Sequence, residues 1–237
     1  MILLIRRKIV LGAMALLLLT VSVLSLAARP SAAIQAFSYA EPPAEEVIIL
    51  DAGHGGSDGG AVSADGTPES GINLAIVLRL RDFFALMGQQ TLLTRTGEAS
   101  LADADSATLR KEKVSDTKNR VALINSVTNG RLISIHQNTL PGHPNVHGAQ
   151  VFYGKLSDSD ACAASVQQAL NNTVNTGNAK VSKPIGSDIY ILAHAQCPAI
   201  LVECGFLSNS SETTLLLTPE YQTKLAAVIG CGYLQYQ

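Results

Sequence analysis

Four side chains able to bind a metal or move a proton lie beside short apolar runs. His54 lies in the glycine-rich stretch DAGHGGSDGG, His136 ends LISIH, Glu203 ends AILVE, and Glu69 lies in GTPESGINL. Two imidazoles and a carboxylate around an open position typically hold hydrolytic zinc, because this set leaves the ion positive enough to acidify a bound water. A further carboxylate then transfers the proton. Spacing leaves open which glutamate is the ligand and which is the base.

The segments around these residues alternate between short apolar runs and longer amphipathic ones. The pattern predicts an α/β fold, a single domain with a mostly parallel twisted sheet of about six strands and helices on both faces. Predicted strands cover residues 46–53, 89–95, 131–138, 148–154, 187–193 and 198–205, and predicted helices cover 69–88, 115–130, 158–175 and the tail from about 219.

His54 follows a predicted strand, and His136 and Glu203 lie at the ends of the apolar runs of two others. Ligands of parallel sheets bind beyond the carboxyl ends of the strands, so we expect His54, His136 and Glu203 to converge. For Glu69, Thr67 is predicted to cap a helix with Pro68 in its first turn, which places this carboxylate at the helix N-terminus.

Other interpretations of these motifs are weaker. The glycine-rich turn lacks the ending of a phosphate-binding loop and is not a dinucleotide fingerprint. Cys204 as a nucleophile served by His136 would make a cysteine hydrolase, but no helix N-terminus or cationic neighbour is apparent to activate it. The remaining histidines are assigned no role in the site; they are His143, His147 and His194.

The roles of several polar residues near the motifs can be interpreted in two ways. Arg95 and Arg120 either hold a substrate carboxylate or pair structurally, and the structural pairing is favoured. Asn138 either contacts substrate or ends a strand. Asp51 and Asp58 are hypothesised to accept the second N–H of a ligand imidazole.

Composition excludes some classes of protein. The 237 residues are 47% apolar and 15% charged, which is enough for a packed core and excludes a disordered chain. The net charge of −2, with no cationic run after residue 8, argues against a nucleic-acid partner. Four cysteines permit disulfides, but free, buried cysteines are favoured.

The N-terminus is typical of an export segment. Three cations at positions 6–8 precede an uncharged apolar run. Residues 1–28 are therefore predicted to be a signal peptide or a membrane anchor, residues 29–45 a linker, and residues 46–237 the catalytic domain. The domain is expected outside the cytoplasmic membrane, and attached to it if the segment is not cleaved.

The motifs DAGHGGSDGGA, ESGINLA, LLTR, NRVALIN, ISIHQN and PAILVECGFLSN occur in this order. Together they resemble the zinc-dependent N-acetylmuramoyl-L-alanine amidases of type 3, from about Val47 to the C-terminal helix. The resemblance implies one zinc ion per chain, bound by His54, Glu69 and His136, with Glu203 as the catalytic base. The implied substrate is peptidoglycan, cleaved between N-acetylmuramic acid and L-alanine.

A narrower resemblance is carried by TLRKEKVSDTKNRV, SIHQN, GAQVFYG and CPAILVECGFLSN. These segments resemble the sporulation subgroup of the family, which strips stem peptides from spore cortex as a step toward muramic δ-lactam, the mark read at germination. It implies a location between the forespore and mother-cell membranes. No wall-binding repeat is recognisable, so targeting is expected to depend on the export segment or an unknown accessory protein. The alternatives are a vegetative cell-wall amidase and a non-catalytic peptidoglycan-binding or regulatory relative.

Overall fold

The apolar run VIILDA forms the central strand that carries the glycine-rich loop. In the computed structural model, which describes residues 45–186 and 189–237, this strand is β1 (Val47–Ala52). The other strands of the described residues are β2 (Gln90–Leu93), β3 (Gly130–Asn138), β4 (Gln150–Tyr153), β5 (Lys183–Pro184) and β6 (Ala199–Phe206).

Six helices accompany these strands in the described part of the chain. They are α1 (Glu69–Leu86), α2 (Leu109–Asn125), α3 (Ser159–Thr173), α4 (Tyr190–His194), α5 (Ser210–Leu216) and α6 (Pro219–Tyr236). Three begin with a side-chain cap, in which an oxygen of Thr108, Asn209 or Thr218 accepts a backbone N–H of the first turn.

The strands form one six-stranded sheet in the order β2-β1-β3-β6-β4-β5. All neighbouring pairs are parallel except β4 and β6, which are antiparallel. The chain leaves β1 for β2 on one side and later returns to β3 on the other, which creates a crevice at the carboxyl ends of β1 and β3. The predicted fold class is confirmed.

Side chains alternate between the two faces of the sheet. On β1, Ile48 and Leu50 join a core formed with α1, α3 and α6, whereas Ile49 joins a second core with α2 and α4. Each of these three strand residues is fully buried. Two apolar layers therefore fix the orientation of the sheet and the position of its carboxyl edge.

The prediction of a strand at residues 187–193 is wrong. The described part of that segment forms the short helix α4, and Ser187 and Asp188 lie outside the described residues. A short apolar run fits either element, and here consecutive Ile191 and Leu192 are both buried against α2. The edge strand β5 was not predicted, because its two residues carry no apolar alternation.

Helix boundaries also differ from prediction. Helix α2 spans Leu109–Asn125 rather than 115–130, and Gly130 begins β3 instead of ending a helix. Helix α5 was not predicted. Pro68, not Thr67, occupies the N-cap of α1, because the Thr67 hydroxyl instead bonds to Asp65 in the preceding turn.

The predicted export segment 1–28 and nearly all of the predicted linker 29–45 lie outside the described residues. Among the helices of residues 45–186 and 189–237, none combines the length and apolar character needed to cross a bilayer.

Candidate active site

A cavity of about 300 Å³ lies at the carboxyl edge of the sheet. His54 follows β1, while His136 and Glu203 lie near the ends of β3 and β6, and all three side chains line the cavity. His136 and Glu203 are register partners on adjacent parallel strands. The predicted convergence of these residues is confirmed.

Glu69 joins the two histidines from the start of α1. Its Oε1 lies 2.8 Å from His54 Nε2, and its Oε2 lies 3.8 Å from His136 Nδ1. The imidazole rings are 5.0 Å apart between centroids at an interplanar angle of 80°. One ligand atom from each of these residues lies within 4.8 Å of the others, so the three side chains form a candidate metal site.

Two glycines make room for this cluster. A Cβ on Gly53 would lie 2.2 Å from His136 Cε1, and a Cβ on Gly60 would lie 2.2 Å from Glu69 Oε1. Gly60 also has φ +72°, in the region that favours glycine. The glycine-rich loop thus lets the backbone approach the side chains that the site uses.

The Glu69 carboxylate is held by N–H groups on both of its oxygens. The backbone N–H of Ala61 donates to Oε1 at 2.9 Å, and that of Gln137 donates to Oε2 at 2.6 Å. The amide of Asn73, one helical turn after Glu69, donates to Oε2 at 3.3 Å and to the carbonyl of Gly53 at 3.2 Å. This pattern fixes the carboxylate before any ligand arrives.

His54 is oriented by a second carboxylate. Its Nδ1 lies 2.8 Å from Asp58 Oδ2, which leaves Nε2 directed toward Glu69. Although burial lowers it, hydrogen bonds to Asp58 and Glu69 raise the pKa of His54 to about 9. Burial acts to raise the pKa of Glu69, but the hydrogen bond from His54 and the charges of both imidazoles lower it to about 2.

Burial lowers the pKa of His136, which favours a neutral imidazole with a free electron pair. The proton of this cluster instead resides on His54, between the ionised carboxylates of Asp58 and Glu69, and a metal cation would have to displace it to bind Nε2.

Glu203 lacks such partners. Its Oε2 is buried and accepts no hydrogen bond from any described residue. Burial, followed by the negative charge of Glu69, raises the pKa of Glu203 to about 8. A carboxyl group with a pKa near neutrality can both accept and donate a proton, as a general acid–base requires.

Two buried arginines hold the backbone of the glycine-rich loop. Arg120 donates to the carbonyls of Ala52 and His54 and pairs with Asp51 and Asp116, in both cases at 2.8 Å. Arg95 donates to the carbonyls of four residues, namely Ala52, Gly53, Ser70 and Gly97. Both guanidinium groups thus pair structurally with backbone carbonyls or buried carboxylates, as the favoured interpretation expected.

Comparison with known proteins assigns the fold and the cavity to a family. Residues 48–233 match the family model described as N-acetylmuramoyl-L-alanine amidase. The chain belongs to this family. It is a peptidoglycan amidase, a hydrolase of the bond between N-acetylmuramic acid and L-alanine.

Relatives from several bacteria are similar to this amidase. A germination-specific N-acetylmuramoyl-L-alanine amidase of Bacillus subtilis (strain 168) is 35% identical over 195 residues, which cover 82% of this chain and 81% of that protein. The amidase AmiA of Escherichia coli (strain K12) is 26% identical, with coverage of 81% and 76%. The CwlD amidase from Clostridioides difficile, solved in complex with the GerS lipoprotein, matches with a TM-score of 0.77 at 39% identity, covering 81% of this chain and 98% of that one.

The cysteine-hydrolase alternative does not fit this amidase. Cys204 is fully buried in the core on the opposite face of the sheet from Glu203, and burial raises the pKa of its thiol. All four cysteines are free, as expected; three are buried, and Cys231 is exposed.

The other residues singled out from the sequence either contact neighbouring protein groups or lie away from the cavity. Asp58 contacts a histidine as hypothesised, whereas Asp51 pairs with Arg120, Ser134 and Thr94 instead. The Asn138 side chain accepts from the Thr139 N–H at the strand end. The other three histidines, His143, His147 and His194, do not line the amidase cavity.

Sequence reasoning missed Asn73 and Gln137, which support Glu69. The four-residue spacing of Asn73 from Glu69 on one helix was an available signal. It also missed Thr117 and Tyr190, which line the cavity from α2 and α4. Their position depends on how the helices pack, which no local pattern reports.

Proposed function

We propose that this amidase is zinc-dependent, with zinc held by His54, Glu69 and His136, and with Glu203 as the catalytic base. The donor set fits the ion, since two imidazole nitrogens and one carboxylate oxygen form a common catalytic zinc site. The hydrogen bonds of Glu69 and the Asp58–His54 contact support the fit, because such outer contacts orient ligands and set the imidazole tautomer. Zinc, when bound, would polarise the scissile carbonyl and acidify water.

The observation that carries the proposal is the buried Oε2 of Glu203, which has no hydrogen-bond partner among the described residues. It lines the cavity that contains both histidines, with a pKa raised to about 8 by burial and by Glu69. Glu203 takes a proton from the attacking water and passes it to the alanine nitrogen as the amide bond breaks. One carboxyl group thus serves both halves of the reaction, and no covalent enzyme intermediate is required.

We infer that the substrate is spore cortex peptidoglycan, as a step toward muramic δ-lactam. The support is the B. subtilis relative named germination-specific and the likeness to the C. difficile CwlD amidase. We propose export to the space between the forespore and mother-cell membranes, with residues 1–28 as signal or anchor and 29–45 as linker. The GerS lipoprotein in the CwlD complex motivates an accessory lipoprotein for this chain as well.

The metal and the base are tested separately. Chelation should abolish release of stem peptides from purified peptidoglycan, and zinc should restore it. His54→Ala should lose both zinc and hydrolysis while keeping its circular dichroism spectrum. Glu203→Gln should retain one zinc per chain and lose about 10²–10⁴ in kcat, the usual contribution of a positioned acid–base. Full activity of either variant would refute the role assigned to that residue.

The cortex assignment is tested by muropeptide analysis of spores that lack this chain. We expect muramic δ-lactam to disappear and intact stem peptides to accumulate. Normal δ-lactam content would instead favour a vegetative cell-wall role and would leave the amidase chemistry unaffected.

A further inference from the structure

A second cleft adjoins the active-site cavity between α2 and α4. It has a volume of about 270 Å³ and is lined by Lys113, Val114, Thr117, Lys118 and Tyr190. Thr117 and Tyr190 line the active-site cavity as well. The two cavities therefore share a wall, and a molecule bound with its reacting bond beside Glu203 can reach this lysine cleft.

The lysine cleft combines apolar walls with positive charge. Val114 and Tyr190 are 48% and 40% exposed, so their apolar surface is available to a ligand. Lys113 Nζ lies 2.7 Å from Asp58 Oδ1, which neutralises much of its charge. Lys118 is exposed and forms no hydrogen bond or ion pair with another described residue. Among the described residues that line the cleft, Lys118 is thus the lysine whose ammonium group has no carboxylate partner.

We propose that the lysine cleft binds the acidic stem peptide on the leaving-group side of the scissile amide. In this arrangement Lys118 pairs with the carboxylate of the residue that follows L-alanine. The inference rests on the proposed amidase chemistry at Glu203. It adds a specificity-determining residue for the peptide half of the substrate.

Charge distinguishes the two halves of the substrate. Once its lactyl group is amidated, the muramoyl glycan is uncharged, whereas the stem peptide carries free carboxylates. A cation therefore favours the peptide half, and the alanine methyl group suits the wall formed by Val114 and Tyr190.

A cleft on the other side of the carboxyl edge lacks these features. It has a volume of about 350 Å³, and its lining includes Asp65 and several hydroxyl groups but no lysine or arginine. Asp65 would repel a carboxylate there. Of the two clefts, the lysine cleft is the better match for an acidic peptide.

The test uses two synthetic substrates that differ at one group. Both are muramoyl-L-alanyl-γ-D-glutamyl peptides, one with a free glutamyl α-carboxylate and the other with that group amidated. The zinc-loaded full chain should cleave the acid with a kcat/KM about fivefold above that of the amide, as a partly exposed ion pair allows. The preference should shrink as salt is raised, because the pair is exposed to solvent.

Variants assign the preference to one residue. Lys118→Met should raise KM for the acid to that for the amide with little change in kcat, and Lys118→Arg should restore the preference. Lys155→Met is the matched control. Lys155 is an exposed lysine just beyond β4, which runs antiparallel to β6, so it lies at the end of the sheet opposite the carboxyl edge. This variant should leave the preference unchanged.

Equal cleavage of acid and amide by the wild type, or a full preference in Lys118→Met, would overturn the subsite. Cleavage of neither substrate by the zinc-loaded wild type would instead refute the proposed function.

Discussion

His136 and Glu203 are register partners on the parallel strands β3 and β6, with their side chains lining one cavity. Two largely buried strands thus set the spacing between a candidate ligand and a candidate base. Because each strand is fixed by its apolar neighbours on both faces, this spacing is a property of the core. The site is therefore sensitive to substitutions that alter the packing around it.

Gly53→Ala should weaken metal binding. Its added Cβ would lie 2.2 Å from the His136 ring, which must then move. We expect the affinity for zinc to fall by at least tenfold. Displacing a ligand should weaken zinc binding about as much as removing a residue that hydrogen-bonds to a ligand and orients it. The free energy of unfolding should decrease by about 1–3 kcal/mol, the usual cost of overpacking. Calorimetric zinc titration and urea unfolding measure the two effects.

The control for that variant is Gly71→Ala. Gly71 lies inside α1, and apart from its chain neighbours and the backbone of its own helix no atom lies within 4 Å of an added Cβ. Alanine there should stabilise the protein by about 0.5–1 kcal/mol and leave zinc affinity unchanged. Equal zinc affinities for Gly53→Ala and Gly71→Ala would contradict the role given to Gly53.

Asp58→Asn should reduce zinc affinity without removing a ligand. The carboxylate of Asp58 holds His54 Nδ1 at 2.8 Å, and an amide holds it less strongly and permits the wrong tautomer. We expect affinity to fall by about 10–100-fold, with kcat at saturating zinc changed much less. A competition assay with a chelating dye gives the affinity, and unchanged affinity would contradict this outer contact.

Glu203 should make the metal-free protein less stable as pH rises. Its pKa is about 8 in the folded chain, raised from 4.5 by burial and by Glu69. Between pH 5 and 8 the folded state keeps a proton that the unfolded chain has lost, so the contribution to stability is present at pH 4.5 and is lost by about pH 8.

Glu203→Gln lacks this titration. The stability of the variant relative to wild type should therefore increase from pH 5 to pH 8.5 by on the order of a few kcal/mol. Urea unfolding of chelator-treated protein at several pH values measures the difference. Parallel stability curves would show that Glu203 titrates normally.

Arg120→Met should destabilise the fold. The guanidinium is 3% exposed and pairs with Asp51 and Asp116, so its loss leaves two buried carboxylates without a counter-charge. We expect a decrease of about 3–5 kcal/mol in the free energy of unfolding. Arg81→Met is the control: Arg81 forms an exposed pair with Asp82, and its replacement should change stability by about 0.5 kcal/mol or less. Equal effects of the two substitutions would contradict the structural role of Arg120.

Local patterns were sufficient for most of the fold. The apolar runs at β1, β3 and β6 and the amphipathic segment of α1 are long enough to indicate their type. The segment at α4 was too short for its type to be inferred, since a strand and one helical turn bury similar numbers of apolar residues. Edge strand β5 has only two residues and no pattern to read.

The sequence by itself determined which side chains lie at or near the carboxyl ends of the central strands, because the order of apolar runs is local information and parallel strands share one carboxyl edge. The motifs also separated the roles implied for Glu69 and Glu203, which spacing had left interchangeable. Only the tertiary structure decided what surrounds them. Arg120 contacts the carbonyl of His54, which is far away in the chain, and the residues packed around Glu203 leave its Oε2 without a hydrogen-bond partner. Both features arise from tertiary packing, which no local pattern reports.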